Sequence, residues 1–356
     1  MCFTTISIDV ILLIKMASNQ LSNSPIAPNL KRENSCFGCV KKMLLCRCSC
    51  SDDIVCGIVS INPIWLWNLI AALMHLGNAV AMVIIFYRPD EKNIVEKDVC
   101  YQLTRNYASW NASNGTASIN IQTTNASVLS LHWLIVGFHL LSFVFQFIPI
   151  LFDKESACCY LKKCASMKVC GNTLEYPYIE YVKKGRNPIR FFEYSISASI
   201  MLVCIALLTG IRDANLLLSI ALLCAVCQVF GYVAETLYVA KMFPTIRHIS
   251  HLAGWVTLMT SYAIIWVYYG LANANASGGN GAPDFVHAIV VSMFLLFNSF
   301  GVVQLSQMYC GDKCCTRFYN CVGKNSEASY IFLSIVAKTI LGWVIYAQVL
   351  VMARQC

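Results

Sequence analysis

Seven long apolar segments divide the chain, and polar loops separate each segment from the next. A sliding window of about 19 residues places the segments at about 61–87, 128–150, 187–209, 214–240, 250–271, 283–308 and 326–351. Each can cross the roughly 30 Å hydrocarbon layer as a helix of about 20 residues, and none alternates as a barrel strand does. The pattern predicts an all-α membrane protein whose seven transmembrane helices form one bundle over residues 61–352.

The composition excludes a single soluble domain. Hydrophobic residues make up 58% of the 356 residues and charged residues only 12%, which is about half the charged share of ordinary soluble proteins. We therefore expect the bundle to lie in a lipid bilayer, in the plasma membrane or in an endomembrane.

Residues 1–60 differ from the bundle because they are polar, basic and rich in cysteine. The segment predicts a tail with no core of its own, and translation from Met1 or from Met16 fits it equally well. Fifteen of the 20 cysteines lie in this tail or in loops on the same side. That side is predicted to be cytosolic, where reducing conditions disfavour disulfides, so palmitoylation and plain free thiols both stay open.

Basic residues are distributed unevenly between the two sides of the membrane. Eighteen lysines and arginines fall in the tail and the loops on its side, and six fall on the other side. Cytosolic loops carry the basic excess, so the N-terminus is predicted in the cytosol and the C-terminus outside. Four glycosylation sequons agree with this orientation and suggest a glycoprotein of a eukaryotic host. They are Asn111, Asn114, Asn125 and Asn275.

A single lysine, Lys338, lies in the middle of the seventh span, SYIFLSIVAKTILGWVIYAQVL. A charge at that depth costs at least about 2.5 to 3.5 kcal/mol, so another group must compensate it. Three roles stay open at this point. Lys338 can form a salt bridge with an acid at similar depth, take part in a proton or ion relay, or form a Schiff base whose cation needs a carboxylate beside it.

Few acidic residues lie within the spans, and two are candidate partners of Lys338. Glu193 lies about two turns into span three, and Glu235 lies near the cytosolic end of span four. A local pair with Arg190, three residues earlier, is the alternative role for Glu193. For Glu235 we favour a solvated, structural carboxylate, because side chains near helix ends reach the interface.

Two long motifs resemble the heliorhodopsin family. They are NPIRFFEYSISASIM in span three and SYIFLSIVAKTILGW in span seven, and LFNSFGVVQ in span six is a third. Heliorhodopsins are light-absorbing proteins that carry retinal on a lysine of the seventh helix, and they are known for an inverted topology. The resemblance covers roughly residues 60–352 and implies a rhodopsin-like bundle.

The resemblance implies that all-trans retinal is bound covalently to Lys338 as a protonated Schiff base, with Glu193 as its counterion. Ser334, four residues before Lys338, falls on the same helix face and can donate a hydrogen bond near the Schiff base. Span one supplies His75 and Asn78 near mid-membrane, and the family has a histidine in this helix that is linked through water to the retinal pocket. Asn298 and Gln304 match polar positions in the family's sixth helix that border the chromophore.

A histidine and several aromatic residues of the spans are assigned from their position rather than from a role in the family. His139 in span two matches no motif, and a core histidine bonded to a backbone group is the favoured interpretation. Retinal needs a slot with apolar and aromatic walls, and helix packing is the alternative role of each aromatic residue. The candidate walls are Trp255, Tyr262, Phe294, Phe297 and Phe230.

The predicted function is a light-sensing retinal protein that signals rather than pumps, because span three has no second carboxylate after Glu193. Light-driven or light-gated ion transport is the alternative. An enzyme is disfavoured, since the chain has no nucleotide motif and no tightly spaced metal cluster, and no nucleic-acid partner is expected.

The loop between spans one and two carries the segment ASINIQTT, whose alternation predicts a small β-hairpin. By resemblance to the family this loop takes part in a homodimer. A protein that signals in this way is expected to have a cytosolic signalling partner.

Overall fold

The computed structural model describes residues 54–56, 59–61, 63–87, 100–113, 116–152, 168–169, 172–173, 178–275, 281–309 and 326–353. Most of the predicted tail and the loop at 310–325 lie outside these residues. Two short antiparallel strand pairs are described, β1 (Ile54–Cys56) with β2 (Val59–Ile61) and β5 (Lys168–Val169) with β6 (Asn172–Thr173).

Seven helices are long and apolar enough to cross a membrane, which confirms the predicted number. They are α1 (Pro63–Phe86), α2 (Leu131–Phe152), α4 (Pro188–Leu208), α5 (Ala214–Val239), α6 (Pro244–Ala274), α7 (Asp284–Tyr309) and α8 (Ser326–Ala353). A short helix, α3 (Tyr178–Lys183), precedes α4. Of the seven long helices, α4 is the most enclosed by the others, which places Glu193 in the interior of the bundle.

The fifth spanning helix is longer than its apolar segment, since α6 begins at Pro244 rather than near residue 250. Its first two turns, PTIRHIS, are too polar for a hydropathy window. Pro244 occupies the first helical turn, where its missing N–H costs nothing. Hydropathy marks the part of a helix that contacts lipid, whereas the helix itself continues into the interface.

The ends of α4 follow local sequence signals. At its start, the Asn187 side chain accepts a hydrogen bond from the backbone N–H of Arg190, and Pro188 follows as the first helical residue. At its end, Gly210 has a φ of +93°. The N–H of Ile211 bonds the carbonyl of Ala206, which closes the helix with the turn that favours glycine at this position.

A long β-hairpin joins α1 to α2, so the prediction of a hairpin in this loop is confirmed, although the hairpin is larger than expected. Strand β3 (Cys100–Ser113) pairs antiparallel with β4 (Thr116–Ser130), with a register irregularity between Gln102 and Thr104. In the sequence Asn114-Gly115, which lies outside the described residues, follows Ser113, and this dipeptide is typical of hairpin sequences. We call the end of the bundle that carries this hairpin the hairpin side.

The hairpin is tied to the loop between α4 and α5. The Thr104 N–H donates to the carbonyl of Arg212 over 2.9 Å, and the Arg212 guanidinium lies 3.9 Å from the centre of the Tyr101 ring. Partial burial lowers the pKa of Arg212. Asp213 caps α5 by accepting from the N–H groups of Asn215 and Leu216.

We predict that Asp213→Ala lowers the free energy of unfolding by about 0.5–2 kcal/mol, the usual cost of losing an N-cap. The same change also removes the hydrogen bonds that Asp213 accepts from Asn106 of the hairpin. Denaturant titration in detergent measures the effect. Asp213→Asn keeps a capping oxygen and is the matched control, so its free energy of unfolding should stay near that of wild type. Equal losses of unfolding free energy in both variants would contradict the capping role.

Candidate functional site

Lys338 and Glu193 form an ion pair in the interior of the bundle. Each residue is only 2% exposed, and the Lys338 Nζ lies 2.5 Å from the Glu193 Oε1. The Nζ also donates to the Ser142 Oγ over 2.6 Å and to the Ser334 Oγ over 3.1 Å. The ammonium group therefore has a hydrogen-bond acceptor for each of its three hydrogens.

Three serines from three helices hold the Glu193 carboxylate and the Lys338 nitrogen in this position. Ser334 lies four residues before Lys338 on α8, and Ser197 lies four residues after Glu193 on α4, with its Oγ 3.3 Å from the Glu193 Oε1. From α2, the Ser142 hydroxyl lies 2.7 Å from the same Oε1 and 2.9 Å from the carbonyl of Phe138. Ser142 was missed by the sequence analysis, although a serine inside an apolar span was its available signal.

Arg190 does not pair with Glu193, so the local pair considered from the sequence is wrong. Its guanidinium forms ion pairs with Glu235 and with Glu327, and it lies 3.9 Å from the centre of the Tyr330 ring. Glu235 is buried rather than solvated, which corrects the expectation for that residue. Glu327, in the first turn of α8, was not considered from the sequence because it lies at a helix end.

A polar cluster surrounds this arginine, and we call it the Arg190 cluster. It contains Arg190, Glu235, Glu327, Asn187, Tyr178 and Asn68. The Asn187 side chain donates to Glu327 and its backbone N–H donates to Glu235, each over 2.7 Å. The Tyr178 hydroxyl donates to Glu327 over 3.3 Å. Burial and the charge of Glu327 raise the pKa of Tyr178 far above its ordinary value.

The Arg190 cluster lies next to the Lys338 site. A small cavity of about 10 Å³ is lined by residues of both sites, among them Glu193, Glu327 and Gln146. That volume is close to the space required by one water molecule. The two groups of charges are therefore separated by little more than one solvent-sized space.

A larger cavity of about 90 Å³ borders Lys338 on its other side. On this measure a single water needs about 10–15 Å³, so the space is large enough for an elongated organic molecule. Its walls come from α4, α5, α6, α7 and α8. The predicted site residues that line it are Lys338, Ser334, Trp255 and Asn298, and the further aromatic wall Phe297 lines it as well.

One wall of the cavity is held by a chain of hydrogen bonds. The Trp255 indole N–H donates to the His251 Nε2 over 3.0 Å, so the neutral His251 ring carries its hydrogen on Nδ1 and donates it to the Gln304 Oε1 over 3.1 Å. The Gln304 amide then donates to the carbonyl of Gly231 over 2.7 Å. Gln304 thus acts behind the wall rather than on its surface, and His251 was missed by the sequence analysis.

Gly301 makes room for the indole in this wall. A Cβ atom built on Gly301 would lie 2.9–3.0 Å from atoms of the Trp255 ring, which is closer than real Cβ contacts. The Trp255 ring therefore packs directly on the α7 backbone, in a place that a side chain on residue 301 would fill.

Tyr262 and Phe294 lie one layer behind the cavity. The Tyr262 ring contacts Phe294 with 5.1 Å between ring centroids and Phe297 with 5.9 Å, both edge to face. Of these three rings only Phe297 lines the cavity. The sequence could place these aromatics on facing helices, but it could not resolve which of them reaches the cavity.

His75 and Asn78 lie away from the cavity, on α1. The His75 Nδ1 is 3.2 Å from the His139 Nδ1, so the expectation that His139 bonds a backbone group is wrong. Asn78 donates to Thr339 and accepts from the Trp343 indole. The structure therefore places His75 outside the cavity lining, in a pair with His139, and Asn78 joins α1 to α8.

These residues suit a retinal chromophore. The cavity is bounded mostly by apolar and aromatic side chains, and the amine of Lys338 lies at its border beside a carboxylate. Tyr194, which also lines the cavity, has its ring centre 5.2 Å from the Lys338 Nζ. An aldehyde in the cavity would reach a primary amine whose cationic product has a counterion in place.

The fold and the site define a class, namely a seven-helix membrane protein with a buried lysine–carboxylate pair at the border of an apolar cavity. The sequence model of the heliorhodopsin family matches residues 64–350. The chain therefore belongs to the heliorhodopsin family, a family of rhodopsins, as the motifs in spans three, six and seven indicated. No curated protein matches the chain.

We predict that Lys338→Met lowers the free energy of unfolding of the retinal-free protein by about 3–5 kcal/mol, the cost of leaving a buried charge without its partner. The double change Lys338→Met with Glu193→Gln removes both charges, so most of the loss should disappear. Equilibrium unfolding in mixed micelles measures the cycle. Arg105→Met is the control, because it removes an exposed cation of the hairpin rather than a buried one. A double variant as unstable as the single variant would argue against the ion pair.

Proposed function

We propose that the protein is a light-sensing retinal protein in which Lys338 holds all-trans retinal as a protonated Schiff base and Glu193 is its main counterion. The observation that supports this most directly is the 2.5 Å contact between Lys338 and Glu193 at the border of an apolar cavity. Membership of a rhodopsin family supports the chromophore. Retinal supplies visible absorption and a light-driven change of shape.

The protein's own residues would then select a single hydrogen-bond partner for the nitrogen. After imine formation the Lys338 nitrogen keeps one hydrogen in place of three, so only one of its three acceptors can retain a bond. Glu193 is the best acceptor because it carries the charge. Ser142 is positioned to donate to the Glu193 Oε1, and this bond would steady the carboxylate and hold its negative charge near the nitrogen.

The separation of the charges explains why Glu193 is free for this role. Arg190 is the nearest cation on the same helix, and Glu235 and Glu327 already neutralise it. Glu193 therefore meets Lys338 without competition from a guanidinium. A movement of charge at Lys338 would change the electrostatic potential at the Arg190 cluster, which lies across the small cavity. The residues of this cluster come from α1, α3, α4, α5 and α8.

We propose signalling rather than ion pumping as the output. A pump needs donor and acceptor groups on both sides of the chromophore, and α4 has no second carboxylate after Glu193. Light-driven or light-gated ion transport is the alternative function. We also propose that the protein is a multi-pass protein of the plasma membrane or an endomembrane, that it forms a homodimer, and that it has a cytosolic signalling partner.

The pigment test uses protein expressed with all-trans retinal. Wild type should absorb visible light and bleach with hydroxylamine under illumination, and Lys338→Arg should give no pigment because it cannot form the imine. Glu193→Gln should lower the Schiff-base pKa and give either a red shift or a near-ultraviolet species at neutral pH.

Glu235→Gln is the matched control for this test, since Glu235 is equally buried but pairs with Arg190, and its visible band should persist. A visible pigment in Lys338→Arg would overturn the proposal. An unchanged spectrum and pKa in Glu193→Gln would assign the counterion to another group.

We propose that the N-terminus and residues 1–60 lie in the cytosol and that the hairpin side lies outside. Eighteen basic residues against six and the exposed sequon residues Asn125 and Asn275 on the hairpin side support this orientation. A C-terminal epitope tag should therefore bind antibody on intact cells, and an N-terminal tag only after permeabilisation. Loss of a glycosidase-sensitive mass shift in Asn125→Gln is a second measurement, and the reverse tag pattern would contradict the orientation.

A further inference from the structure

Between Lys338 and the hairpin side, helices α1, α2 and α8 stack their side chains in three layers. Along each helix, members of successive layers are three, four or seven residues apart, so they lie on one face of that helix. The contacts between helices that define the layers are His75 with His139, Gly342 with Met82 and Ile135, and His132 with Phe86 and Tyr346. From the site outwards, the layers are His75, His139 and Lys338; then Met82, Ile135 and Gly342; then Phe86, His132 and Tyr346. The first and third layers contain titratable groups, and the second contains none.

The third layer fixes the orientation of His132. The Tyr346 hydroxyl has one hydrogen, and the 2.6 Å distance to the carbonyl of Met82 shows where it is donated. The Tyr346 oxygen, 3.1 Å from the His132 Nδ1, must then accept from that nitrogen. Neutral His132 therefore carries its hydrogen on Nδ1 and presents a lone pair on Nε2.

His132 is buried in an aromatic setting. It is 1% exposed, and its ring stacks on Phe86 with 3.9 Å between centroids. Its Nε2 has no hydrogen-bond partner among the described residues. The titratable and polar groups that face it are Tyr346 from α8 and Trp133 from its own helix, while α1 contributes the uncharged Phe86. The half-exposed Trp133 places His132 one ring from the surface.

The middle layer is apolar and tightly closed. A Cβ atom built on Gly342 would lie 2.9 Å from the His139 Nε2, 2.9 Å from the Met82 methyl and 3.4 Å from Ile135. The His139 Nε2, which also has no partner within the described residues, and the Met82 methyl thus both pack against the backbone of Gly342. Met82 also reaches the third layer, because its carbonyl accepts from the Tyr346 hydroxyl.

We propose that His132 is a second proton-binding site of the bundle, and that the layer of Met82, Ile135 and Gly342 is a barrier between this site and the His75–His139 pair. A proton that reaches His132 forms an N–H bond at the Nε2 lone pair and gives an imidazolium ion; its departure restores the neutral ring. The barrier keeps protons of the Lys338 site from reaching the hairpin side. It also gives the proposed signalling function a physical basis.

The first test needs no retinal. In protein labelled with ¹⁵N-histidine and reconstituted in lipid, one of the six histidines should give a neutral, Nδ1-protonated signal that is lost in His132→Gln. Lowering the pH should convert that signal to the doubly protonated form, and Tyr346→Phe should change the tautomer ratio. An Nε2-protonated His132 in wild type, or a ring that stays neutral until the protein unfolds, would overturn the proton site.

The second test rests on the proposed function and uses the retinal-loaded protein under voltage clamp. Wild type should give no sustained photocurrent. Met82→Ala should open the barrier and give a proton current at least tenfold above background, with a reversal potential that follows the pH on the hairpin side. Met82→Ala with His132→Gln should lose that current.

Met293→Ala is the matched control, because Met293 is an equally buried methionine of the core outside the three layers. The Met293→Ala variant should give no sustained photocurrent. A Met82→Ala pigment without a photocurrent, or an unchanged photocurrent in the double variant, would contradict the proposed barrier. If no pigment forms in wild type, the proposed function fails, whereas the histidine spectra still decide whether His132 binds a proton.

Discussion

Neither Lys338 nor Glu193 could stay charged alone at its depth in the bundle, because a buried ion costs several kcal/mol unless a partner lies within hydrogen-bond distance. Each is the partner of the other. Their contact joins α4 to α8, and Ser142 adds α2. The large cavity, the Arg190 cluster and the histidine pair are all arranged around this contact.

The bundle separates its buried charges into two groups. One group has a lysine and a glutamate, and the other has an arginine between two glutamates. Glu327 lies in the first turn of α8, where the helix dipole favours negative charge, and Glu235, near the end of α5, accepts from the backbone N–H of Asn187 at the start of α4. Because Arg190 is occupied, the Lys338 site has a single strong anion. This division allows one carboxylate to respond to a change on Lys338 while the other two hold the helices together.

The sequence was sufficient to predict the seven helices and the pairing of Lys338 with Glu193. Segment length, hydropathy and a lysine inside an apolar span are local signals. The sequence was insufficient wherever the answer depended on which helix faces which. Arg190 was a plausible local partner for Glu193 by spacing alone, yet it turns to Glu327, 137 residues away in the chain. Tyr262 and Phe297 belong to neighbouring helices, and only their packing decides that Phe297 lines the cavity while Tyr262 lies behind it. Ser142 was marked only as a serine inside an apolar span and His251 lay in the polar first turns of its helix, so neither signal named a partner. Their contacts depend on how the helices pack.

The hydrogen-bond chain behind the cavity wall, from Trp255 through His251 and Gln304 to Gly231, has one donor for each acceptor. Its hydrogens cannot exchange places without breaking a bond, so its dipoles keep one direction. A chromophore beside such a wall experiences the same static electric field in every molecule of a sample. Uniformity of that field narrows the spread of transition energies, so the wall would limit inhomogeneous broadening of the absorption band.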